Sequence, residues 1–273
     1  MKLTVTITGK NDNHAGDFIK RLTTSVYNNI STLRQFLTYE FEYLIIDWGT
    51  VQENDNVFTK RLLYEAILNL KEIRFINVRP ETIKEKFGHN RFYQFFAKNV
   101  GIRHAKGEFV LLINADNILS KSTVIAINKC IKENKFEFYR TRWWEDKEDY
   151  KLINRIDCDE KVSESEKGLA PIYSGDFLLC KKEFLINNGR GYDETNIKHQ
   201  TENPQCSMDG EILYNLRANG IKPVILNETI YHIHHERSGS YDFHYNKDGY
   251  INIDNWGFGD KKLNYVNKNV WVI

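Results

Sequence analysis

At 273 residues the chain can build one large domain or two small ones, at roughly 150 residues per domain, and can bury a sizeable core. Hydrophobic residues make up 41% and charged residues 27%, with 16 Gly and 4 Pro, which excludes a wholly disordered or collagen-like chain. The 38 Lys and Arg against 37 Asp and Glu leave a formal charge of +1, so the chain lacks the positive excess that nucleic acid or an anionic membrane surface would demand of a partner.

Leu3 to Thr8 alternates apolar and β-branched residues and breaks at Gly9, as a strand entering a loop does. Phe18, Leu22, Val26 and Ile30 follow at helical spacing. Phe41–Ile46 is a second strand, stopped by Asp47-Trp48-Gly49-Thr50, and the stripe Leu62, Leu63, Ala66, Ile67 and Leu70 predicts a helix over 57–70. Arg74–Val78 is a third strand, ended before Pro80. A helical stripe from Phe92 through Phe95, Phe96 and Val100 to Ala105 is closed by Gly107 in the manner of a C-terminal cap. Phe109–Ile113 is the most strand-like segment of all.

Strands alternating with helices predict an α/β fold with a Rossmann-like, mostly parallel central sheet flanked by helices. Ligands of such sheets sit beyond the carboxyl ends of the strands. That rule selects Gly9-Lys10-Asn11-Asp12, Asp47-Trp48-Gly49-Thr50 and Asn114-Ala115-Asp116-Asn117, which should gather along one edge.

The second half is less regular. Glu145–Lys167 is polar and reads as a mobile surface excursion. Phe177–Cys180 is strand-like, Met208–Asn219 is a helix with Ile212, Leu213 and Leu216 inward, and Val224–Leu226 and Thr229–His235 are strands. The last thirty residues are rich in aromatic, Asn and Gly residues and hold no internal repeat or low-complexity tract. The four cysteines, Cys130, Cys158, Cys180 and Cys206, form no C-x-x-C pair, which fits free thiols. The N-terminus is too polar for a signal peptide and no apolar run reaches the roughly 18 residues of a spanning helix, so a soluble cytoplasmic protein with no transmembrane segment is expected. Asn29-Ile30-Ser31 and Asn227-Glu228-Thr229 match the glycosylation sequon, which has no meaning off the secretory route.

Four segments in order carry a resemblance. The run Phe96-Ala97-Lys98-Asn99-Val100-Gly101 through Phe109–Ile113 to Asn114-Ala115-Asp116 resembles the "A-R-N-x-G…D-x-D" run of family 2 glycosyltransferases of the GT-A fold. Thr6-Ile7-Thr8-Gly9-Lys10-Asn11 resembles the family's first strand and turn, and Leu44–Thr50 its "V-D-x-G-S" turn. Met208-Asp209-Gly210-Glu211 to Gly220 is similar to its "E-D-x-x-L-x-x-R-x-x-x-G" helix. The set spans about Thr4 to His235.

The resemblance implies a single GT-A (nucleotide-diphospho-sugar transferase) domain over 1–273. Residues 1–119 would form the nucleotide-sugar-binding half, 120–240 the acceptor-binding half and 241–273 a C-terminal extension. It implies a metal-dependent, inverting glycosyltransferase that moves a sugar from a uridine diphosphate sugar to a hydroxyl on a glycan, protein or other acceptor. Thr8, Lys10, Asn11, Asp47, Lys98, Asn99, Asn114, Ala115 and Asp116 would lie against the donor nucleotide. Asp116, His232 and His234 would hold Mn2+ or Mg2+, and Asp209 would be the general base.

Plainer readings stand beside these: Asn and Asp favour solvated turns, an Asp opening a helix can simply cap it, and a His-rich strand can lie on the surface. Two positions depart from the pattern. Asn114 replaces the first Asp of D-x-D and removes a negative charge, and Lys98 replaces the usual Arg. Asn114 keeps open the alternative of a non-catalytic glycan- or nucleotide-binding protein with a degenerate site. A nucleotidyltransferase is disfavoured by the single Gly in Thr8–Asn13, and a dehydrogenase by the lack of G-x-G-x-x-G.

Overall fold

The structure, a computed structural model, describes residues 1–10, 18–49, 70–134, 137–148, 151–154, 177–188, 190–194, 208–233, 252, 254–267 and 269–273. Strand β1 (Leu3–Gly9) is buried along its whole length, with Leu3, Val5 and Ile7 in one hydrophobic cluster and threonines at the alternate positions. It pairs in parallel with β2 (Phe41–Trp48) on one side and β4 (Phe109–Ile113) on the other, and β2 pairs in parallel with β3 (Ile73–Val78). The chain thus runs outward from β1 through β2 to β3 and then returns to the far side of β1. The strand order reverses between β1 and β4, which makes their carboxyl ends the expected place for a ligand.

The crossovers follow from the packing. Helix α1 (Phe18–Phe36) lays Leu22, Val26, Ile30 and Leu33 on the apolar face of β1. Helix α3 (Gln94–His104) lies on the threonine face, where a Cβ at Gly101 would come within 2.1 Å of Thr6 Cγ2. Gly101 is therefore a close-approach residue. So is Gly107, which is not a helix cap: α3 is capped by Ala105, and a Cβ on Gly107 would meet Leu3 C at 2.6 Å and Thr4 N at 2.5 Å. Pro80, read from sequence only as the end of a strand, also opens helix α2 (Pro80–Phe87), where its missing N–H costs nothing.

Beyond β4 the sheet becomes mixed, in the order β4, β8 (Phe177–Lys181), β6 (Glu137–Glu148), β9 (Lys222–Ile233) and β5 (Asn117–Leu119). Helix α4 (Lys121–Glu133) starts at Ser120, whose Oγ accepts from Thr123 N at 3.1 Å, and ends at Asn134 with φ 49°. Helix α5 (Lys182–Asn187) follows β8. Helix α6 (Met208–Ala218) buries Ile212, Leu213 and Leu216 completely. The two strands expected near 224–235 are one, β9, and the described part of the presumed excursion is a hairpin, since β7 (Lys151–Asn154) pairs antiparallel with Glu145–Glu148. The expected helix over 57–70 lies outside the described residues apart from Leu70.

The last residues fold back on the domain. A 3-10 turn at Trp256–Phe258 buries both aromatic rings, β10 (Asn264–Asn267) pairs with β11 (Val270–Val272), and β11 joins β3 in parallel. Trp256 is 2% exposed under the Arg103 guanidinium and is core.

At the opposite, amino end of β1 a buried polar cluster is well bonded. Glu42 accepts from Thr4 Oγ1 (2.7 Å), Arg74 Nε (2.9 Å) and Lys106 N (2.6 Å), and Gly107 N donates to Thr4 Oγ1 at 2.8 Å. This cluster ties the amino end of β1 to β2, β3 and the turn before β4.

Candidate donor site at the strand ends

The carboxyl ends of β2, β1 and β4 lie side by side, with Gly9 opposite Asp47 and Asp47 opposite Asn77 in register. Three segments distant in sequence are thereby brought to one edge. Asp47 is 1% exposed and one carboxylate oxygen accepts from Asn77 Nδ2. Thr8, 4% exposed, has an Oγ1 with no hydrogen-bond partner among the described residues. Lys10 Nζ donates to the carbonyl of Asn90 at 2.7 Å, Trp48 Nε1 to that of Arg91 at 3.0 Å, and Asn90 Nδ2 to that of Gly49 at 3.0 Å. Residues 90–91 therefore form a flap across the ends of β1 and β2. Gly49 is required there: its φ is 65° and a Cβ would lie 2.1 Å from Asn90 Oδ1.

After β4 the chain turns, with Asn117 N donating to Asn114 O at 3.2 Å. Asn114 Oδ1 accepts from Gln94 Nε2, at the start of α3, and Ala115 is 7% exposed. Because β5 runs antiparallel to β9 with Asn117 opposite His232, Ile233 N donates to Asp116 O at 2.9 Å and His232 Nε2 lies 3.5 Å from Asp116 Oδ1. Arg21 Nε, from α1, is 4.0 Å from Asp116 Oδ2. The Asp116, His232 and Arg21 side chains are 14%, 7% and 8% exposed, so this carboxylate sits in a shielded setting where charge interactions are strong.

Lys98 and Asn99 take other positions. Lys98 is 1% exposed with its ammonium over the rings of Phe95 (5.3 Å) and Tyr192 (5.7 Å). Asn99 is fully buried: its Nδ2 donates to Tyr192 O (2.9 Å) and Glu194 Oε1 (2.8 Å), and its Oδ1 accepts from Tyr192 N (2.7 Å). Glu194 also pairs with Lys86 Nζ at 2.6 Å and accepts from Gly257 N at 2.8 Å, so Asn99 clasps residues 190–194 and the C-terminal turn onto α3. Asn11 and His234 lie outside the described residues. Of Asp209 the backbone is described, at the second position of α6. Among the described residues no group of three or more His, Cys, Asp or Glu could hold a metal ion, and no helix is long and apolar enough to cross a membrane.

Sequence reasoning missed Arg21, Asn77, Asn90 and Gln94. Asn77 and Asn90 carried no signal short of the strand order. Arg21 did carry one: with Ser25 and Asn29 it forms a polar line beside the apolar stripe of α1, at the same spacing. Asn29, the first sequon asparagine, is 0% exposed and bonded to Asn117 O, which removes it as a glycosylation acceptor in the folded chain.

A parallel Rossmann-like half continued into a mixed sheet, with polar strand ends at the switch point, is the architecture of the GT-A glycosyltransferase fold, and the chain adopts that fold. The chain is similar to S. aureus TarS, with TM-score 0.55 and 17% identity over 85% of this chain and 37% of that one. For a shorter TarS chain in complex with UDP-GlcNAc the TM-score is 0.55 at 15% identity, over 88% of this chain and 60% of that one. For the mannosyltransferase PcManGT from Pyrobaculum calidifontis, in complex with GDP-Man and Mn2+, it is 0.53 at 16% identity, over 84% and 56%. The chain thus spans less than two thirds of each of these proteins, and at these identities the likeness is one of fold. No protein-family model and no curated protein matches the sequence.

Proposed function

We propose that the chain is a glycosyltransferase that moves a sugar from a nucleoside diphosphate sugar, with uridine as the base, to an acceptor hydroxyl with inversion at the anomeric carbon. The observation that carries the reading is the gathering of Lys10, Asp47, Asn114 and Asp116 at the ends of adjacent parallel strands. The GT-A fold, and its likeness to chains bound to UDP-GlcNAc and GDP-Man, supports it. Asp47 and the Lys10 turn would face the base, and Asn114 and Asp116 the ribose and diphosphate.

Asp116 and His232 fit a manganese-type cation: a carboxylate oxygen and an imidazole nitrogen stand 3.5 Å apart, with His234 two residues further along the chain. Such a cation, when bound, offsets charge on the diphosphate. Asp209 would accept the acceptor's proton as its oxygen forms the bond to the anomeric carbon and the bond from that carbon to the diphosphate breaks. The amino end of α6 favours the ionised carboxylate. Asn114 favours a second reading, a degenerate site that binds nucleotide without turnover.

Purified protein incubated with manganese, acceptors and a panel of nucleotide sugars should release uridine diphosphate, and Asp209→Ala should slow release by about 10²–10⁴-fold. Turnover undiminished in Asp209→Ala removes the base. Manganese-enhanced uridine diphosphate binding with no turnover of any donor favours the second reading.

A further inference from the structure

Helix α1 carries a buried polar line with no task in the donor-site reading. Arg21, Ser25 and Asn29 stand four residues apart on one face and are 7%, 0% and 0% exposed. Ser25 Oγ and Asn29 Nδ2 both donate to the carbonyl of Asn117, at 2.6 and 2.8 Å, and Asn29 Oδ1 accepts from Leu119 N at 2.7 Å. These bonds fasten the helix to β5, the strand that begins one residue after Asp116. The position of Arg21 against Asp116, 4.0 Å from Nε to Oδ2, is therefore built into the fold rather than left to a wandering surface side chain. A guanidinium is charged at every working pH, so Asp116 faces a cation of the chain itself before any ligand arrives. Two residues earlier, Asn114 supplies an amide instead of a second carboxylate, and its oxygen accepts from Gln94. Between Asn114 and Asp116, a dication finds one carboxylate, and that carboxylate already has a counter-charge.

We infer that Arg21 is a built-in counter-cation at Asp116, a positioning residue that keeps the free protein's divalent-cation affinity low and makes the cation bind together with the nucleoside diphosphate. The inference rests on the donor-site reading above. A diphosphate brings the negative charge that Asn114 lacks, and only then does the site hold enough anionic charge for both Arg21 and a dication. Coupling of this kind is reciprocal: the nucleotide tightens the cation by the factor by which the cation tightens the nucleotide.

Manganese binding is measured from the EPR signal of the free ion, with and without uridine diphosphate, in wild type, Arg21→Lys and Arg21→Gln. Wild type and Arg21→Lys should bind the ion weakly alone and tightly with the nucleotide. Arg21→Gln should bind it alone about tenfold or more tighter than wild type, with the nucleotide's effect reduced accordingly. Should Arg21→Gln not fold, Arg21→Met keeps the buried bulk without the charge and reads the same quantity. Equal manganese affinity in wild type and the folded charge-free variant overturns the inference and leaves glycosyl transfer standing. Failure of every protein to bind manganese even with uridine diphosphate overturns it too. Affinities that shift as expected in a protein that turns over no donor sink the functional reading alone.

Discussion

Replacing Asn99 with Ala should cost the fold about 2.5–6 kcal/mol while leaving donor affinity little changed in the protein that remains folded. The magnitude follows from its three hydrogen bonds. After truncation Tyr192 O keeps the bond from Asn252 Nδ2 at 2.7 Å, and Glu194 Oε1 keeps that from Gly257 N at 2.8 Å. Tyr192 N, however, donated to Asn99 Oδ1 at 2.7 Å and is left buried without that partner, at about 1–3 kcal/mol. The bond from Asn99 Nδ2 to the Glu194 carboxylate, 2.8 Å, is charge-assisted and worth about 1.5–3 kcal/mol. Against a total stability of about 5–15 kcal/mol this is a large fraction. Urea unfolding followed by tryptophan fluorescence measures the loss, and the donor KM is taken below the unfolding transition. A stability change under about 1 kcal/mol together with a donor KM raised tenfold would show that Asn99 touches the nucleotide, as the resemblance implies, and would refute the clasp.

Burial, and then the charges of Arg74, Lys182 and Arg103, hold the His104 imidazole down at about 4 against an ordinary 6.5. Between those values the unfolded chain binds the extra proton, so stability should fall as pH drops from 6.5 towards 4, by about 2 kcal/mol, and stay flat above; urea midpoints at pH 7 and 5 should differ more in wild type than in His104→Gln. Gly101→Ala should destabilise by about 1–3 kcal/mol through the 2.1 Å approach to Thr6 Cγ2, and Thr6→Ser, which deletes that methyl, should restore part of the loss in the double variant. Burial pushes the Cys130 thiol up to about 12 and raises Cys180 as well, so peptide mapping after iodoacetamide at pH 8 should find both unmodified in the native protein and alkylated in denaturant.

The elements read correctly from sequence are those whose identity is decided locally. β1, β2 and β4 are buried on both faces, so they are written as apolar or β-branched runs, and α3 announced itself through Phe96 and Val100. The elements read wrongly or passed over depend on partners far away. Glu145–Glu148 is too polar to declare a strand, and is one because β9, some eighty residues later, pairs beside it. β11 is three residues long and exists because β3 offers an open edge. At the strand ends, the polar residues were legible because turns after buried strands are the places where polar side chains gather in an α/β sheet. The residues that hold them were not. Arg21 carried only the faint signal of its line with Ser25 and Asn29, and Gln94 looks like an ordinary helix start, until the sheet order brings them to Asp116 and Asn114.

That arrangement bears on how the edge works. Lys10 is held by the Asn90 carbonyl, Asp47 by Asn77, Asn114 by Gln94 and Asp116 by Arg21 and His232, each from a different element. Every one of these expected ligand-facing groups is thus oriented by a second residue before a ligand arrives, which lowers the reorganisation needed on binding. The same arrangement means that a ligand entering the edge must replace or share existing partners at these four groups, with the Thr8 hydroxyl, unpartnered among the described residues, open beside them. Affinity then depends on charge delivered by the ligand, and most at Asp116, where the partner is a guanidinium that cannot give up its proton. A neutral nucleoside would leave that balance untouched, whereas a nucleoside diphosphate would shift it, so the phosphates and not the base should dominate binding at this edge.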